Sequence, residues 1–440
     1  MRTHIKRIGW CLFAALIAAG CGQVPTGAPA EPPTAIVQQA IATAALSATP
    51  VDLTPTSSPT QPPTETVTPV PSETSAPVNA IQHFNLGQTV TIEAINMLDE
   101  QNGWASGSLP GGTMHILRTG DGGNTWFDVT PPQAVPSGAA TLLAAGYFLD
   151  TDQAWAFFSQ NDGMAPAQAI VWHTENGGMG WQTSQPLVLE GLDSQFSVSD
   201  IQFIDSQNGW LLAHVGVGMN HDYVMLYRTQ DGGASWQRLV DPYDDGSIQA
   251  CYKPGMLFTD AQQGWLPVNC NGVMPGAILY HTTDGGSTWE TVNLPAPADL
   301  PTLFENPEAA CGVDDLTFFT PDFGRLAMTC TNYSTDPLSY LYYLYTTQDG
   351  GATWTSTVYP GGSLTFLNDQ VGWAQNQNIY QTKDGGAIWT KIANVSWEAK
   401  FDFVSEKLGW AVARSGEEIA LVKSEDGGVY WILIEPLIGP

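Results

Sequence analysis

Lysine and arginine are scarce in this chain. There are 14 in 440 residues, against 43 aspartates and glutamates, which gives a formal net charge of −29. A surface that negative repels nucleic acid and anionic lipid, both of which need clustered basic side chains. Beyond the first 21 residues no stretch approaches the ~20 apolar residues that span a bilayer. Histidine is sparse too: seven residues with no His-x-His pair, and six cysteines with no CxxC spacing. That composition offers no metal centre and calls for no cofactor. No Ser-His-Asp or Cys-His arrangement is visible. The arginines beyond residue 80 are Arg118, Arg228, Arg238, Arg325 and Arg414. Arg118, Arg228 and Arg325 hold repeat positions in different blades, and no three-arginine cluster of a sialidase is visible.

The chain divides by composition. In residues 1–21, Arg2, Lys6 and Arg7 precede the apolar stretch Ile8 to Ile17, and Ile17-Ala18-Ala19-Gly20-Cys21 follows the pattern of a bacterial lipobox. The expectation is a lipoprotein signal peptide with lipidation at Cys21, so that the protein is extracytoplasmic and anchored by lipid alone. Residues 22–80 are dominated by Thr, Pro, Ser and Ala. They cannot bury enough apolar surface to offset their ordering entropy, and they read as a disordered linker. Residues 81–440 have the composition of one folded domain.

That domain repeats a short element seven times: TGDGGNTW (Thr119 to Trp126), TENGGMGW (Thr174 to Trp181), TQDGGASW (Thr229 to Trp236), TTDGGSTW (Thr282 to Trp289), TQDGGATW (Thr347 to Trp354), TKDGGAIW (Thr382 to Trp389) and SEDGGVYW (Ser424 to Trp431). A second element precedes each copy, as in IQFIDSQNGW (Ile201 to Trp210) and FDFVSEKLGW (Phe401 to Trp410). Drifted copies carry Ala154-Trp155, Gly264-Trp265 and Gly324-Arg325. Each apolar run has strand length and is bounded by turn residues, so one repeat makes four antiparallel strands and seven repeats make a ring of blades. The fold predicted is therefore all-β, a seven-bladed propeller. Asp121, Asn176, Asp231, Asp284, Asp349, Asp384 and Asp426 are read as structural. Each carboxylate or amide closes its own hairpin, and glycine supplies the positive φ. Trp126, Trp181, Trp236, Trp289, Trp354, Trp389 and Trp431 suit the apolar contacts between blades.

These motifs resemble the Asp-box, or BNR, propellers. The paired pattern of F-x-D-x-x-x-GW followed by TxDGGxxW is most similar to the photosystem II stability/assembly factor family. The resemblance implies a non-catalytic propeller that assists assembly of a membrane complex, with a protein partner. The alternative from another class is a carbohydrate-binding or glycoside-hydrolase propeller, which needs two opposed carboxylates.

Four cysteines remain beyond Cys11 and Cys21. Cys251 and Cys270, like Cys311 and Cys330, are separated by 19 residues and bracket the first two strands of one blade. Cross-strand disulfides Cys251–Cys270 and Cys311–Cys330 are expected. Alternating strand directions put the Gly-Trp turn and the Asp-box hairpin on one face of the ring. The opposite face carries links of variable length, long in blades two to five and minimal in blade six. Long links on a rigid scaffold suit recognition. The candidate binding face is His221, Asp222, Tyr223, Tyr243, Asp244, Asp245, Glu305 and Tyr333. A Ca²⁺ ion on Asp241 to Asp245 is an alternative, although the spacing is not that of an EF-hand loop. His83 to Gln88 is a candidate edge strand for the last blade.

Overall fold

The computed structural model describes residues 79–135, 141–192, 195–218, 221–242, 248–270 and 276–440. The expected signal peptide, Cys21 and nearly all of the expected linker lie outside these residues, as do Tyr243, Asp244 and Asp245. The fold is a seven-bladed β-propeller of four-stranded antiparallel blades. Blade 1 runs through Thr91–Met97, Gly103–Ser108, His115–Thr119 and Thr125–Asp128. Blade 7 runs through Phe401–Phe403, Gly409–Ser415, Glu418–Ser424 and Ile432–Ile434. In every blade the first strand is innermost, and the Asp box joins the third strand to the fourth.

The two sequence elements are fastened to each other across blades. In four blades the indole next to the Gly-Trp turn donates its Nε1–H to the first glycine carbonyl of the next blade's Asp box, while Trp104 of blade 1 donates to Asp150 O of blade 2. Trp155 donates to Gly232 at 2.8 Å, Trp210 to Gly285 at 2.9 Å and Trp373 to Gly427 at 2.8 Å. The same indoles lie flat on the first-strand phenylalanine of the following blade, with ring centroids 3.6 Å apart for Trp155–Phe203 and Trp373–Phe403 and 3.8 Å for Trp210–Phe258. In blades 3, 4, 6 and 7 the glycine before the tryptophan is needed because the first-strand phenylalanine of its own blade covers it. A Cβ at Gly409 would sit 2.4 Å from the Phe403 ring, and one at Gly372 would sit 2.5 Å from Phe366. In blade 5 the tryptophan is replaced by Arg325, whose guanidinium occupies the slot among three rings, 4.6 Å from the centroid of Phe366, 5.1 Å from Phe323 and 5.5 Å from Phe319. Cation–π attraction thus stands in for the indole stack. Burial lowers the Arg325 pKa from its ordinary value.

The ring closes by the same stitch. Trp410 of blade 7 donates to the Gly122 carbonyl of blade 1 at 2.9 Å. A fifth strand, Leu437–Ile438, adds to blade 1 parallel to Thr125–Trp126. The candidate edge strand His83 to Gln88 lies here and not on the last blade. Gly87 N–H donates to Ile438 O at 2.8 Å, and Ile438 N–H donates to Gln88 O at 2.9 Å. Blade 7 keeps four strands. The two chain ends of the domain therefore meet on blade 1, and the seam is held by hydrogen bonds as well as by packing.

Candidate functional site

Each Asp box closes on itself. Asp121 Oδ1 accepts the backbone N–H groups of Asn124 at 3.1 Å and Thr125 at 2.9 Å, while Oδ2 accepts the Thr125 hydroxyl at 2.6 Å. Thr119 Oγ1 accepts from Gly123 N–H at 3.0 Å. The pattern recurs at Asp231 with Ser235, Asp284 with Thr288, Asp349 with Thr353, Asp384 with Ile388 and Asp426 with Tyr430. Asn176 takes the equivalent bond from Gly180 at 2.9 Å. The hydroxyl and then the backbone N–H of Thr353 hold the Asp349 carboxyl below the usual carboxylate range. The N–H of Ile388, followed by the Thr382 hydroxyl, does the same for Asp384. Carboxylates so engaged accept hydrogen bonds from their own hairpin, a structural task that leaves them little capacity for chemistry. Among the box indoles, Trp126, Trp289 and Trp431 donate to the second glycine of their own box. Trp181 donates to Val129 O of blade 1. Trp236, Trp354 and Trp389 are packed without a partner for Nε1.

Both disulfides are present. Cys311 and Cys330 face each other in register within paired strands, with Cα atoms 4.0 Å apart. Cys251 and Cys270 join just beyond the ends of Leu257–Phe258 and Gly264–Pro267, at 4.5 Å.

The candidate binding residues are dispersed. The blade 3 link that carries His221, Asp222 and Tyr223, expected as a long loop, is instead the end of a long hairpin, in which Gly209–Gly218 pairs with His221–Thr229. His221 is exposed and stacks on Tyr223 with centroids 5.7 Å apart. Asp222 is only 3% exposed. Lys253 of the segment entering blade 4 and His214 cover its carboxylate, so it cannot contribute to an exposed surface. Glu305 is exposed at the end of the short 3₁₀ turn Leu303–Glu305, and Tyr333 is half exposed in the blade 5 hairpin.

The concavity on the variable face opens elsewhere, over blades 6, 7 and 1, where the links are short. A cavity of about 730 Å³ is lined by Glu93 and Asn96 of blade 1, Tyr342 of blade 5, Gln375 of blade 6, and Lys400, Asp402 and Arg414 of blade 7. A second recess of about 870 Å³ adjoins it through the shared residues Asn376, Glu398 and Arg414, and adds Trp397. The sequence reading missed this site because it followed loop length. The short hairpin Gln375 to Asn378 leaves a gap, and the inner-strand Asp402 sits between the apolar Phe401 and Phe403. Tyr342 stacks with the exposed Tyr340 at 6.3 Å on the rim. Arg414 Nη2 donates to Glu93 O at 3.0 Å, and Lys400 reaches across to Asp315 of blade 5 at 3.5 Å. Among the described residues no cluster of His, Cys, Asp or Glu could hold a metal ion.

Inner-strand carboxylates also tie neighbouring blades together. Asp402 accepts the N–H of Met97 across the seam, and Asp200 accepts that of Met256 at 3.0 Å. Burial pushes the Asp402 pKa up from 3.8 to about 6, against the Met97 N–H and the Lys400 charge. Because the folded value is the higher one, the contribution of Asp402 is fully present below the unfolded value and is lost as pH rises through about 6. Asp402→Asn keeps an acceptor for Met97 and removes the charge. The variant should therefore exceed the parent in stability at about pH 8, by on the order of 1 kcal/mol, with the difference vanishing near pH 4. Urea midpoints at the two pH values check this, and the variant-minus-parent difference cancels the Asp boxes, which titrate in both.

A family model described as Photosynthesis system II assembly factor YCF48 matches residues 182–304. No curated protein matches the chain. Among solved structures, "YCF48 bound to D1 peptide" is 16% identical, with 80% of this chain and 99% of that chain covered at a TM-score of 0.48. YCF48 from Cyanidioschyzon merolae is 15% identical, with 78% and 97% covered at a TM-score of 0.47. A polysaccharide lyase, the PL25 ulvan lyase bound to -[GlcA(1-4)Rha3S]-, is 11% identical, with 82% and 96% covered at a TM-score of 0.42.

Proposed function

We propose that this chain, a BNR-type propeller related to the photosystem II assembly factor, is a non-catalytic protein-binding and assembly module. We further propose that it works outside the cytoplasmic membrane, held by a lipid on Cys21 and a stalk of residues 22–80. The observation that carries the reading is the family match over residues 182–304, a stretch that includes all of blade 3 and blade 4. Two further features support it. The Asp boxes spend their carboxylates on their own hairpins, which leaves recognition to the opposite face. The two disulfides fit an oxidising compartment. The partner would sit on the recess over blades 6, 7 and 1, with the longer links of blades 2 to 5 as its wall. The strong negative charge favours a partner with basic groups.

One observation favours a second reading. The stacked Tyr340 and Tyr342 beside Glu93, Glu398 and Asp402 form an aromatic platform next to carboxylates, as a carbohydrate site would. Affinity purification of the tagged full chain from solubilised host membranes separates the two. Subunits of one membrane complex should co-purify, and Asn376→Trp, which fills the recess, should reduce their recovery about tenfold, equivalent to ~1.4 kcal/mol. Recovery of polysaccharide alone would move the assignment to the second reading, and recovery of nothing would overturn the first.

A further inference from the structure

A cluster apart from the recess brings a buried lysine amine up to an aspartate carboxyl. Lys253 is wholly buried, an uncommon fate for a lysine, and it lies between the long hairpin of blade 3 and the segment entering blade 4. Its Nζ donates to the backbone carbonyls of Asp222 at 2.6 Å and Cys251 at 2.9 Å. A neutral amine has two N–H bonds and one lone pair. With both N–H bonds spent on those carbonyls, the lone pair is left for the third neighbour, the Asp222 carboxyl, whose Oδ2 is 3.6 Å away. The two carboxyl oxygens are held differently. Oδ2 accepts the backbone N–H of Lys253 at 3.0 Å, as an oxyanion would. Oδ1 lies 2.7 Å from His214 Nδ1, within reach of a proton donor. His214 Nε2 is buried without a hydrogen-bond partner, and the ring stacks on Tyr252 at 5.4 Å.

We propose that Asp222 and Lys253 form an intramolecular amide that welds blade 3 to blade 4. The Nζ–Cγ bond forms and the Cγ–Oδ1 bond breaks. Two of the three ammonium protons end on Oδ1, which leaves as water, and His214 relays one of them through Nδ1. An ammonium and a carboxylate thus become an amide and one water, with no oxidant, activating group or outside reactant. Burial pushes the Lys253 pKa down from 10.5 to about 8, against the attraction of Asp222, which makes the neutral amine accessible. The cross-link would complement the adjacent Cys251–Cys270 disulfide, which pins the same entry segment from its other side.

Peptide mapping of the purified full chain by mass spectrometry tests the proposal. The expected product is a branched peptide that joins the Asp222 and Lys253 segments and is one water lighter than their sum, persisting after reduction. Asp-Gly steps can also lose water by closing to a succinimide, so the deciding reading is the fragment series across the branch and not the intact mass. Lys253→Met should abolish the branched peptide. Recovery of linear peptides carrying a free Lys253 amine from the folded parent would overturn the proposal and leave the cluster a buried ion pair.

Discussion

Trp410→Ala should destabilise the folded domain by about 3–5 kcal/mol, the range for deleting a buried tryptophan. The expected reading is a shift of the urea midpoint with an unchanged slope. Trp410 is fully buried. It packs with Leu117, Trp126 and Ile438 in the cluster that joins blade 7 to blade 1, and it donates to Gly122 O. Trp210→Ala removes a comparable indole within the ring, where Trp210 lies on Phe258 and donates to Gly285 O. The two variants should differ in kind. At Trp210 covalent continuity holds blades 3 and 4 together whatever the packing, whereas blades 7 and 1 are more than 270 residues apart along the chain. Loss of Trp410 should therefore expose the amides of Gly87 and Ile438 to hydrogen exchange before global unfolding, and loss of Trp210 should not. Equal protection in both variants would mean that the fifth strand alone holds the seam.

The ring was legible because its two signatures are local. DGG needs glycine for its turn, Gly-Trp needs glycine beneath a phenylalanine, and both recur in phase. The closure was not legible, because Leu437–Ile438 is two residues long and pairs in parallel with a strand more than 300 residues away. No periodicity marks such a strand. The blade 3 hairpin misled for a different reason. Its Gly216, Gly218 and Asn220 have turn composition, yet the flanking strands extend through the first two of them. Asp222 carries the same lesson at the level of one side chain. Charge suggested exposure, while a lysine 31 residues further on folds over it and buries it. The recess was missed because short links, not long ones, create it.

The other large effect concerns the disulfides, and the two should not behave alike. Each closes a loop of 19 residues, so the entropy removed from the unfolded chain is the same, worth roughly 3 kcal/mol apiece. What differs is the native structure left behind. Cys311 and Cys330 sit inside the register of Ala309–Phe318 with Gly324–Asn332, whose backbone ladder continues on the far side of the bond. Cys311→Ala with Cys330→Ala should therefore cost about the entropic 3 kcal/mol and leave the local amides protected. In blade 4 the inner pair is only Leu257–Phe258 with Gly264–Pro267, and the chain beyond it is joined by the Tyr252–Asn269 bridge. Cys251 holds φ at +63°, a left-handed conformation that a side-chain-bearing residue adopts only when its surroundings enforce it. Cys251→Ala with Cys270→Ala should release that constraint, fray residues 251–256, and open the edge of blade 4 toward the Lys253 cluster. The expected result is a loss larger than for the blade 5 pair, together with fast exchange at the Tyr252 and Asn269 amides. Equal losses and equal protection in the two variants would show that both bonds act only on the unfolded chain.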